Sequence, residues 1–126
     1  MTTPPDLELE PKALALLRRV GGDALLAQLA AAFLGQAGTR LEAARAGVGA
    51  GDPAPVERAM HTLKSSSRQL GAMALGDLCA ETEALAARGE LAPLSGILDR
   101  VGEELERVRS ALGRETARKT GEPETT

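Results

Sequence analysis

The chain has 126 residues, 43% of them hydrophobic but only one aromatic, Phe33, and a formal net charge of -3. That length suits one domain, and a core of Leu, Ala and Val suits closely packed helices and excludes most sandwiches and barrels. The acidic balance and the lack of aromatic stacking platforms exclude a nucleic-acid binder.

A single cysteine, Cys79, cannot form an internal disulfide, which fits a reducing compartment. No signal segment opens the chain, and no apolar run approaches the roughly 20 residues needed to span a bilayer. The expected setting is the cytoplasm, with no membrane partner.

Residues 1–8 contain Pro4-Pro5 and few apolar groups and are expected to form a disordered leader. A short helix then runs over residues 10–20, with Pro11 in its first turn, Leu14, Leu17 and Val20 packing downward, and Gly21-Gly22 as its stop. Asp23 is placed to cap a long second helix, in which Leu25, Leu26, Leu29, Phe33, Gln36, Ala37, Leu41, Ala44 and Val48 keep the spacing of one apolar face. Phe33 reads as plain core. Residues 47–55, rich in glycine and proline, read as the clearest loop in the chain.

A third helix begins near Pro55 and ends near Leu70, where Gly71 is a natural stop. The fourth spans residues 74–88 and buries Leu75, Leu78, Cys79, Thr82, Leu85 and Ala86. Cys79 in that stripe reads as a small core residue. Pro93 opens a fifth, where Leu94, Ile97, Leu98, Val101, Leu105, Val108 and Leu112 hold the helical period for five turns. Residues 115–126 lack an apolar anchor and are expected to form a disordered tail. The chain therefore reads as all-α: an antiparallel four-helix bundle over residues 10–113 with a short additional N-terminal covering helix, expected to be a monomer.

The third helix holds the only histidine, His61. At about 100° per residue, Lys64, Ser65 and Arg68 fall within about 60° of His61, while Val56, Ala59, Met60, Leu63 and Leu70 gather on the opposite side. The apolar stripe faces a core and His61 faces water. Imidazole, with an unperturbed pKa of about 6.5, is largely neutral and nucleophilic at cellular pH. Lys64, one turn along, offers a compact charge suited to a phosphoryl group, and Arg68 a second charge. Ser65 keeps the ground between them small. The wheel alone also allows an ordinary solvated face. Ser66 and Ser67 lack an acid and base at catalytic spacing, so a hydrolase is not expected. One His and one Cys on different helices cannot close a four-ligand metal site, so no bound metal is expected.

His61-Thr62-Leu63-Lys64-Ser65-Ser66-Ser67-Arg68-Gln69-Leu70-Gly71-Ala72 resembles the signature of the histidine-containing phosphotransfer (HPt) domain, usually His-x-Leu-Lys-Gly-Ser-Ser-x-x-Leu-Gly-Ala. Leu25 to Phe33 is similar to the family's second helix, and Leu78-Cys79-x-x-x-Glu83 to its next one. The resemblance implies a phosphorelay carrier: His61 accepts a phosphoryl group from a receiver phospho-aspartate or a kinase and passes it to a response regulator. It implies Lys64 as phosphoryl-stabilising residue, Arg68 as helper, and Ser65 at the receiver docking edge, where the family usually has glycine. The implied partners are a response-regulator receiver domain and a sensor or hybrid histidine kinase. No cofactor is expected on this chain, Mg²⁺ being expected in the receiver. The chain carries no nucleotide loop or kinase motif, so a carrier and not an enzyme is expected. The alternative is a non-catalytic helical interaction module, an adaptor in which His61 has no chemistry.

Overall fold

The computed structural model describes residues 9–121, with side chains through residue 117. It contains four helices, α1 (Pro11–Gly49), α2 (Pro53–Gln69), α3 (Met73–Ala87) and α4 (Leu94–Gly121), and no strand among the described residues. Each helix packs chiefly against its neighbours in chain order, and α4 closes the ring against α1. Short connections make successive helices antiparallel, giving an up-and-down four-helix bundle. The expected leader, residues 1–8, lies outside the described residues.

The covering helix and the long second helix form one element, interrupted at Gly22, where φ is 72° and ψ is -172°. Leu14 and Leu17 are buried before the break, but Val20 is 71% exposed instead of packing downward. Beyond it Leu26, Ala30, Phe33, Ala37, Leu41 and Ala44 are buried, with Leu25, Leu29 and Val48 packed partly against the core. Gln36, expected on the apolar face, is exposed and accepts hydrogen bonds from Arg40 at 3.1 and 3.0 Å. The glycine-rich loop is shorter than expected: α1 runs to Gly49 and α2 starts at Pro53. The Asp52 carboxylate accepts from the Ala54 amide at 3.1 Å, and Pro53 fits a first turn that needs no donor.

Helix α2 ends in a Schellman turn, with the Ala72 amide donating to the Ser67 carbonyl at 2.8 Å and the Gly71 amide to Arg68 at 3.0 Å. Gly71 has φ +82°, and its carbonyl accepts from the Glu10 amide at 2.7 Å. The start of α1 thus lies directly over the α2–α3 turn. A β-carbon on Gly71 would come within 2.8 Å of the Glu10 nitrogen.

All seven apolar positions of the fifth periodic segment are buried in α4, as is Cys79 in α3. Burial pushes the Cys79 thiol up to about 12, so it stays an inert thiol near neutral pH. The tail expectation requires correction, because α4 continues through Gly121. Arg18 meets Glu115 at 2.9 Å and the Thr116 hydroxyl donates to the Leu112 carbonyl at 3.0 Å, so polar contacts hold a stretch that has no apolar anchor. Residues 122–126 lie outside the described residues.

Gly71→Ala should destabilise the fold by about 2–4 kcal/mol, combining left-handed backbone strain with overpacking against a backbone that cannot step aside. Urea denaturation with an unchanged m-value checks this.

Candidate functional site

The apolar face of α2 decides where its polar face points. Val56, Ala59, Met60, Leu63 and Ser67 are buried against α1 and α3, and the His61 side chain on the opposite side is 65% exposed. Its ring is not loose. The Nδ1 atom lies 2.9 Å from Oε2 of Glu83 on α3, and the other carboxylate oxygen of Glu83 accepts from the Lys64 ammonium at 2.7 Å.

One carboxylate therefore bridges two groups on α2. The Lys64 ammonium is the main cause, and the hydrogen bond from His61 a further one, that holds the Glu83 carboxyl below the usual carboxylate range, against partial burial that pushes it up. Glu83 is ionised at neutral pH, and an ionised carboxylate only accepts hydrogen bonds. Nδ1 of His61 must then carry the proton, so that the neutral ring keeps the lone pair on Nε2. The site holds a histidine of fixed tautomer, tethered on one side and open to solvent on the other.

The other residues singled out in the sequence are spread along the same face. Ser65 is exposed beside His61. Arg68 is one turn beyond Lys64 and turns away from His61: its guanidinium meets Asp77 at 3.1 Å, and its stem lies over Gly76, where a β-carbon would come within 2.7 Å of Arg68 Cγ. Ser66 Oγ donates to the Thr62 carbonyl at 3.1 Å, and Ser67 Oγ is buried without a hydrogen-bond partner. Neither hydroxyl meets an acid or a base.

Two residues at this site were outside the wheel argument. Glu83 stands in the resembling segment of α3, but only packing shows that its carboxylate reaches both His61 and Lys64. Arg58, three residues before His61, lines a cleft with Glu57, His61, Thr62 and Glu83. Its helical spacing was the available signal. Among the described residues, no group of three or more His, Cys, Asp or Glu side chains is placed to hold a metal ion, and no helix is long and apolar enough to cross a membrane.

Comparison with known proteins bears on the same fold. No curated protein matches the chain in sequence. The crystal structure of histidine-containing phosphotransfer protein B (HptB) from Pseudomonas aeruginosa PAO1 matches with a TM-score of 0.83 and 30% sequence identity, covering 88% of this chain and 96% of that one. The model of the Hpt domain family matches residues 28–111, which include all of α2 and α3 together with the His61–Glu83 contact. The chain belongs to the histidine-containing phosphotransfer (Hpt) domain family.

Proposed function

We propose that this chain is a phosphoryl carrier in a phosphorelay, taking a phosphoryl group on Nε2 of His61 from a receiver phospho-aspartate or a kinase and handing it to a response regulator. One observation carries the reading: the Glu83 carboxylate holds Nδ1 as a donor and leaves the Nε2 lone pair directed to solvent. In the forward step that lone pair forms the N–P bond in line as the acyl-phosphate P–O bond breaks, and the aspartate leaves with the bonding electrons as a carboxylate. The ring gains positive character, which the adjacent Glu83 carboxylate stabilises. The reverse sequence, onto a second aspartate, discharges the carrier.

Lys64 steadies the phosphorylated state in this reading, directly or by neutralising Glu83. Arg68 helps only after releasing Asp77. Ser65 stands at the docking edge, where an added hydroxymethyl group makes docking slower or more selective than glycine would. Mg²⁺ belongs to the receiver's acidic pocket. The protein is a carrier and not a kinase, works in the cytoplasm as a monomer, and meets a receiver domain and a sensor or hybrid kinase.

The test is to incubate the chain with phosphorylated receiver domains and look for acid-labile, base-stable label. His61→Gln should lose all label while keeping its helical circular dichroism; retained label would sink the carrier reading in favour of a different acceptor. If no receiver labels the folded wild type, the adaptor reading takes its place.

Glu83→Gln should slow transfer and lower stability at pH 7 by about 1 kcal/mol, the scale of a charge-assisted hydrogen bond at a partly exposed site. Glu83 has a lowered folded-state pKa, so its contribution is full above the ordinary value of 4.5 and is lost as pH falls through the lowered one. The stability gap between wild type and variant should therefore shrink as the solution is made more acid than the ordinary value of 4.5, as denaturation at each pH would read directly. Ser65→Gly should raise the transfer rate or widen the range of receivers accepted, measured across a receiver panel; an unchanged rate and range would remove Ser65 from the docking edge.

A further inference from the structure

The positive charges around His61 are unevenly committed. Lys64 is closed on Glu83 at 2.7 Å and Arg68 on Asp77 at 3.1 Å. Arg58 is exposed and forms no ion pair or hydrogen bond with any described residue. It lines the cleft that His61 also lines, and at the same time a groove between α1 and α2 that contains Arg40 and Thr62. Arg40 is held there by the neutral side chain of Gln36, so its charge is not cancelled either.

The side of the ring on which Arg58 stands follows from helix geometry. Seen along α2 from His61, Glu57 and Lys64 lean to one flank and Arg58 and Ser65 to the other, each by about 40–60°. The first flank faces α3, because Lys64 meets Glu83 there. The second faces α1, because Arg58 shares its groove with Thr39, Arg40 and Ala43. Glu83 draws Nδ1 toward α3. Nε2, across the ring, is left toward solvent and the Arg58 flank.

We infer that Arg58, and not Lys64 alone, is the cation that meets a phosphoryl group on Nε2 of His61. The inference rests on the carrier reading for its biological use, but its chemistry concerns only His61 and Arg58. A phosphoryl group brings between one and two negative charges near neutral pH and three acceptor oxygens. A guanidinium can offer it two parallel N–H donors. Residues three apart on a helix have β-carbons about 5–6 Å apart, within reach of an arginine side chain. Lys64 would first have to leave Glu83, exposing an unneutralised carboxylate beside the incoming charge. Arg58 gives up no partner.

The experiment uses the full chain and phosphoramidate, a small donor that needs no protein partner. Nε2 attacks phosphorus, the P–N bond of the donor breaks, and its nitrogen leaves as ammonia with the bonding electrons. Phosphorus NMR then reads both the labelling rate and the pKa of the phosphoryl group on His61. In Arg58→Ala the labelling rate should fall about threefold and the phosphoryl pKa rise by about half a unit, the size of an exposed charge pair. Arg58→Lys should recover most of the pKa change and less of the rate, having one charge but no fork. Because the Arg58 side chain is exposed and unpartnered, circular dichroism and melting should be unchanged.

An Arg58→Ala protein that matches wild type in both readouts overturns the inference, as does an effect found only in Lys64→Ala. Failure of phosphoramidate to label His61 also overturns it, since Nε2 would then not be an open nucleophile. Failure of the carrier reading looks different: His61 takes label from phosphoramidate but from no phosphorylated receiver.

Discussion

Helix α2 is clamped on one side only, and the orientation of everything functional depends on that clamp. Val56, Met60, Leu63 and Ser67 are at most 2% exposed. Each large apolar side chain buried in this way contributes about 1.5–3 kcal/mol. Turning the helix by one residue would expose several of them and drive His61 or Lys64 into the core. That cost of several kcal/mol exceeds the worth of any ion pair on the polar face, which is about 1 kcal/mol or less. Packing therefore aims His61, and the polar contacts only refine the aim.

The refinement is nonetheless what gives the histidine its chemistry. An untethered surface imidazole exchanges its proton between two nitrogens and rotates freely. Glu83 removes both freedoms with one oxygen while the other is neutralised by Lys64. The carboxylate can hold the proton of Nδ1 without taking it, because its own affinity for protons is lowered, chiefly by Lys64. The adjacent Arg68–Asp77 pair ties the end of α2 to the start of α3, so the same two helices are braced where the histidine is tethered.

The remaining helices serve this pair. The entry to α1 is pinned to the α2–α3 turn through the Glu10–Gly71 backbone bond. At the other end of the first segment, Arg18 reaches Asp23 across the Gly22 break and Glu115 on α4. α4 in turn fills the bundle with an unbroken stripe from Leu94 to Leu112. Among the described residues the large apolar side chains left exposed are Leu16 and Val20 on α1 and Met73 at the start of α3, and none is on α2.

Much of this was legible in the sequence. Apolar spacing located α2, α3 and α4, because amphipathic helices in a bundle must bury a stripe with a period near 3.6. The same spacing placed His61 outward, and the His61–Ala72 segment carried the family resemblance. Local polar chemistry was less legible at helix ends: Asp52 capped α2 early, and polar contacts carried α4 past the point where apolar anchors stop.

The sequence by itself determined the helices, the face on which His61 stands and the absence of a second histidine, since all three follow from local periodicity and inventory. Tertiary structure alone decided which carboxylate meets which base. Glu83 is 22 residues from His61, and whether it, Asp77 or neither would reach depends on the relative rotation of two packed helices. The same holds for Lys64, which reads as a free cation along α2 and is paired in the fold, and for Arg58, whose side chain is left uncommitted on the opposite flank of His61. Helical spacing fixes neighbours within a helix, but the charge balance of a site is settled only when the helices meet.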